Sequence, residues 1–140
     1  MQDMAENKEI KIRYLEMLQQ IITRMATNSF ALKGWAVTLI AGILVLASKD
    51  SRLEFFIIVY FPVVVFWGLD SYYLQLERRY RVLYNVVAKA ENSISLEMKL
   101  PAPNITDETS YFQCAISVSE IVFYLSISLI VAITVIIATI

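Results

Sequence analysis

Ile121-Val-Phe-Tyr-Leu-Ser-Ile-Ser-Leu-Ile-Val-Ala-Ile-Thr-Val-Ile-Ile-Ala-Thr-Ile140 is a run of 20 residues without a charge. At about 1.5 Å of rise per helical residue it reaches about 30 Å, the thickness of a bilayer's hydrocarbon core. A helix here crosses a membrane, with Glu120 at one face and Ile140 at the other. Two further apolar stretches precede it, Phe30 to Ser48 and Leu53 to Leu69. The second has only 17 residues between Arg52 and Asp70, about 25 Å of helix, so Tyr72 and Tyr73 are expected to complete it as an interfacial aromatic belt. Lys33, near the start of the first stretch, can snorkel on its four-carbon stem. The link Lys49-Asp50-Ser51-Arg52 allows only a tight turn, which makes the first two spans an antiparallel hairpin.

The polar segments are periodic as well. Leu15, Leu18, Ile22 and Met25 are spaced three, four and three apart, with Ile12, Tyr14 and Ile21 widening the stripe of an amphipathic helix. No Gly or Pro separates it from the first span, so one helix of about 60 Å from near Lys8 to Ala47 is expected. After the second span, Tyr73, Leu76, Tyr80, Leu83, Val87 and Ala90 alternate by three and four, a heptad seam. The stripes of these two helices can face each other or other subunits. Pro101 and Pro103 end the second helix, and Thr106 or Asp107 is expected to cap the third. The reading is an all-α integral membrane protein with three transmembrane helices, at 30–48, 53–73 and 116–140. The first two extend into the cytoplasm as amphipathic helices, 1–29 and 74–99, and 100–110 is a proline-containing loop.

Orientation follows from the basic residues. Lys8, Lys11, Arg13, Arg24 and Lys33 precede or open the first span, and Arg78, Arg79, Arg81, Lys89 and Lys99 lie between the second and third; only Lys49 and Arg52 lie in the short turn. The bias places the N-terminus and the middle region in the cytoplasm and the C-terminus outside. Residues 1–29 lack the apolar core of a signal peptide. Asn104-Ile105-Thr106 matches a glycosylation acceptor, but a cytoplasmic position makes the match accidental. The net charge of −1 adds nothing to this assignment.

Composition argues against an enzyme. There is no His, a single Cys at 114, and three Gly without a phosphate-cradling pattern; no cofactor or metal is expected. Cys114 reads as a small apolar residue at the membrane edge. Gln113, Ser117, Glu120, Tyr124 and Ser128 recur at four, three, four and four residues on one face of the third span. They either line a pore, with a ring of Glu120 carboxylates at its cytoplasmic mouth, or bond neighbouring helices. Lys33 and Asp70, near the cytoplasmic ends of adjacent helices, suggest an ion pair across the hairpin. Pro62 in the second span is either a gating bend or a static kink. Arg78, Arg81 and Asn85, with Arg79 and Tyr84 beside them, form a basic-aromatic face away from the seam. That face suits a nucleotide or short nucleic acid, or simply marks the cytoplasmic side or an anionic lipid surface.

The runs Leu32-Lys33-Gly34-Trp35-Ala36-Val37-Thr38-Leu39, Phe66-Trp67-Gly68-Leu69-Asp70-Ser71-Tyr72-Tyr73-Leu74-Gln75-Leu76-Glu77-Arg78 and Tyr80-Arg81-Val82-Leu83-Tyr84 resemble the SLATT-like bacterial membrane effectors of anti-phage defence. The resemblance is closest to the membrane component of Hailong-type systems and covers roughly residues 10 to 92. It implies a homo-oligomeric ion channel, a tetramer, in the bacterial inner membrane. It also implies depolarisation of the infected cell and a partner nucleotidyltransferase whose nucleotide or oligonucleotide product controls the channel. It designates no ligand residues. The alternative is a non-conducting membrane anchor or sensor that recruits a soluble cytoplasmic partner.

Overall fold

The computed structural model describes the backbone of residues 2–50, 53–90, 100–102 and 107–139, and the side chains within 6–47, 58–90, 100–102 and 108–137. The described residues form four α-helices and a single 3-10 turn. Helix α1 is Gln2–Asp50, α2 is Leu53–Lys89, α3 is Tyr111–Ala115 and α4 is Val118–Thr139, with the 3-10 turn at Asp107–Thr109. Helices α1 and α2 each run without a break from one half to the other, charge-rich to apolar in α1 and apolar to charge-rich in α2, and α1 continues through Gly34 and Gly42. Their 49 and 37 residues correspond to about 74 Å and about 56 Å. Pro62 lies inside α2 without ending it.

Charge and hydrophobic pattern set the antiparallel register of α1 and α2. In the charge-rich half, Tyr14 and Leu18 of α1 pack with Leu83 and Val87 of α2, and Leu15, Tyr80 and Tyr84 close around them. The heptad seam and the α1 stripe therefore face each other within one chain, although Ile12 stays exposed. Helix α2 ends at Lys89. The Lys11 ammonium donates to the carbonyls of Ala88 and Ala90, at 2.9 and 2.7 Å. A cation there satisfies acceptors that the last helical turn leaves open. The turn residues Ser51 and Arg52, residues 91–99, Thr106 as a cap, and the Asn104-Ile105-Thr106 match lie outside the described residues.

In the apolar half α4 joins the pair. Ala36 and Ile40 of α1, Val59 and Val63 of α2, and Tyr124, Ile127 and Val131 of α4 form one buried cluster. The opposite faces are apolar yet uncovered: Phe30, Trp35, Val45 and Leu46 on α1, Phe61 and Val64 on α2, and Val118, Val122, Leu129, Ile133 and Ile137 on α4 are exposed. Among the described residues two helices are long and apolar enough to cross a membrane, within Glu6–Ala47 and Val118–Ile137, and only 22% of each apolar window is buried. Soluble proteins rarely leave so large a contiguous apolar surface in water.

The segment entering α4 is bound to α2 by side chains that reach backbone carbonyls. Gln75 donates to Thr109, Trp67 to Ala115, and Tyr111 returns a hydroxyl to Gly68, at 3.0, 3.0 and 3.1 Å. The third helix does not run continuously from the loop. It is broken at Ile116 and Ser117 between α3 and α4, and the Ser117 amide donates to the Cys114 carbonyl as a turn.

Candidate functional site

Three helices each bring a charged side chain to one buried point. Lys33 stands on α1, Asp70 on α2 and Glu120 in the first turn of α4. The Lys33 ammonium donates to Asp70 Oδ2 and to Glu120 Oε1, the latter at 2.8 Å. Both carboxylates are buried, at 0% and 1% side-chain exposure, while Lys33 keeps 16%. Asp70 also accepts from the Ser29 hydroxyl and from the Tyr124 hydroxyl, the latter at 3.2 Å. The Trp67 ring stacks on Tyr124 with centroids 6.0 Å apart, and Phe123 meets Tyr124 edge-on. The hairpin pair of Lys33 and Asp70 is thus a three-helix cluster, which Ser29 and Glu120 complete. The sequence carried the signal: each of the three charges sits at an edge of an apolar stretch, and the edges coincide once the stretches are laid side by side.

Glu120 is bonded to Lys33 and buried within its own chain. The α4 stripe is turned towards the rest of the same chain. Tyr124 is buried, the Ser128 hydroxyl donates to the Tyr124 carbonyl at 2.8 Å, and the half-buried Ser117 has a hydroxyl with no partner. Gln113 alone of the five is exposed. Polar groups on one face of a membrane helix need protein or water beside them; here α1 and α2 supply the protein.

The basic-aromatic face is also divided. Arg78 donates to the Glu108 carbonyl at 2.9 Å, and Arg79 holds the Pro101 carbonyl with Nε and a terminal nitrogen, at 2.9 and 2.7 Å. Arg81 pairs with Glu77 one turn back, Tyr84 packs into the seam, and Asn85 is exposed. The structure does not gather these five side chains into a pocket. Two of the arginines fasten the segment that leads to α4. Beside that segment, Cys114 is fully buried, and burial pushes its thiol up against the opposing pull of Arg78. No group of three His, Cys, Asp or Glu side chains among the described residues could hold a metal ion.

One face of α1 is exposed along its length among the described residues. Gln20, Thr27, Gly34, Thr38 and Gly42 recur at seven, seven, four and four residues and are all exposed. A Cβ added at Gly34 or Gly42 would meet no atom within 4 Å. The hydroxyls of Thr27 and Thr38 fall back on the carbonyls of Thr23 and Gly34 in their own helix. This small and polar stripe runs from the charge-rich half into the apolar half. The seven-residue spacing was legible in the sequence, but the apolar stripe of the same helix obscured it.

Compared with models of protein families, with curated proteins and with solved structures, the chain matches none.

Proposed function

We propose that this protein is the subunit of a homo-oligomeric ion channel in the bacterial inner membrane. It crosses three times, at 30–48, 53–73 and 116–140, with its N-terminus in the cytoplasm and its C-terminus outside. The observation that carries this reading is the uncovered stripe Gln20, Thr27, Gly34, Thr38 and Gly42 on an otherwise lipid-compatible helix. Small residues let helices approach closely, and hydroxyls facing hydrocarbon gain nothing. Copies of α1 arranged about an axis would bury that stripe or wet it, whereas the α4 stripe is already used inside the chain.

The resemblance to SLATT-like effectors extends the reading to anti-phage defence. A partner nucleotidyltransferase would supply the nucleotide or oligonucleotide that gates the pore from the cytoplasm, and a tetramer is the assembly the resemblance implies. The arginine tethers offer a route for that control. Phosphate oxygens compete well for an arginine fork, so a ligand at Arg78 or Arg79 would take the guanidinium from the Glu108 or Pro101 carbonyl and loosen the segment leading to α4.

The test is Gly34→Leu with Gly42→Leu. Within one chain a Cβ at either position meets no atom within 4 Å and both positions are exposed, so each subunit should fold and insert as before. The assembly and its bilayer conductance should be lost. An unchanged oligomer and an unchanged current would refute the α1 interface. A second reading, the non-conducting anchor or sensor, is favoured by the cytoplasmic halves of α1 and α2 pairing with each other, and it predicts no current from the wild-type protein at any ligand concentration.

A further inference from the structure

The buried cluster is one positive charge short. Lys33 faces two carboxylates, and no second cation among the described residues bonds either of them. Asp70 is well supplied, with donors from Ser29, Lys33 and Tyr124. Glu120 receives one donor at Oε1, and its buried Oε2 has no partner among the described residues. A buried carboxylate oxygen without a donor is costly to keep ionised, and two carboxylates on one ammonium cannot both be compensated.

We propose that Glu120 is a proton-binding site: a proton on its Oε2 completes the cluster and latches α4 to the α1–α2 hairpin. With the proton the cluster is neutral, as an ammonium, the Asp70 carboxylate and the Glu120 carboxylic acid. Without it, the proton has passed to water and a net negative charge is left between three helices. The titratable and charged groups around Glu120 are Lys33 from α1, Asp70 from α2, Tyr124 from its own helix and Cys114 from α3. Arg78, the next cation, is committed to the Glu108 carbonyl. None supplies the missing charge. Helix α4 is the element free to respond, because it rests mainly on α2, touches α1 little, and follows the break at Ile116 and Ser117. Deprotonation releases the cytoplasmic end of α4, and that break acts as the hinge. The inference concerns one chain and does not depend on whether the assembly conducts.

Spin labels at Val37 and Val122, both exposed, would read the α1–α4 distance in nanodiscs between pH 5 and pH 9. The wild type should pass from a short to a longer distance with the slope of one proton, and infrared spectra should contain a protonated carboxyl band that Glu120→Gln removes. Glu120→Gln, neutral at every pH, should hold the short distance throughout. Asp70→Asn, which leaves one carboxylate for one ammonium, should also remain docked at high pH. A wild-type distance that does not change with pH, a pH response that persists in Glu120→Gln, or a transition that follows sodium or potassium at fixed pH would overturn the proposal.

Discussion

Replacing Lys33 with Met removes the one cation that, among the described residues, bonds two almost fully buried carboxylates. Losing one partner of a buried pair costs about 3–5 kcal/mol, because the remaining charge is left uncompensated. Two hydrogen bonds and two partners are lost here, so the upper part of that range is expected, tempered by protonation of Glu120. Converted at about 1.4 kcal/mol per decade, the folded-to-unfolded ratio falls by roughly two to three and a half powers of ten. The assay is reversible unfolding in mixed micelles, followed by circular dichroism and by Trp67 fluorescence. Lys33→Met combined with Asp70→Asn and Glu120→Gln should recover most of the loss, since a neutral cluster of similar shape has no charge to strand. Arg13→Met is the control: it breaks the exposed pair with Glu9 and should change little. Lys33→Met with wild-type stability, or a triple variant no more stable than Lys33→Met alone, would refute the argument.

Three other outcomes follow from the packing. Leu18→Ala, at a fully buried position, should destabilise the charge-rich pairing of α1 and α2 by about 2–5 kcal/mol, whereas the same change at the exposed Met17 should have a small effect; equal effects would contradict the seam. Arg79→Ala frees the Pro101 carbonyl and should speed proteolysis in the 100–110 segment without changing the unfolding midpoint of α1 and α2, as read by limited digestion. Because burial raises the Cys114 thiol, its thiolate is scarce at neutral pH; maleimide labelling of the native protein should be slow at pH 7, accelerate as pH rises beyond the ordinary thiol range, and reach the free-thiol rate on unfolding.

Apolar length and 3-4 spacing were enough to read α1, α2, their antiparallel arrangement and the position of α4. These signals are local, and the helices they describe are continuous. Partner choice was harder to read. Periodicity assigns Ser117, Glu120, Tyr124 and Ser128 to one face of α4, but a polar face looks the same whether its own chain or another copy covers it. The structure covers it with α1 and α2, which also explains why Lys33 and Asp70 needed Glu120 to complete their arrangement. Arg78 and Arg79 were legible as a basic face only, because their acceptors are backbone carbonyls, which no side-chain pattern announces. The break at Ile116 and Ser117 carries no Gly or Pro and depends on Trp67 and Tyr111 fixing α3 against α2.

If the assembly wets the exposed stripe of α1 along a conducting path, current through a Thr38→Cys channel tests it most directly. In planar bilayers, a charged, membrane-impermeant thiosulfonate added from the aqueous side should reduce the current of Thr38→Cys. The same reagent should leave Val122→Cys, on the exposed apolar face of α4, and the wild type with its buried Cys114 unchanged. A wild-type protein that carries no current, or a Thr38→Cys current that the reagent does not touch, would contradict it.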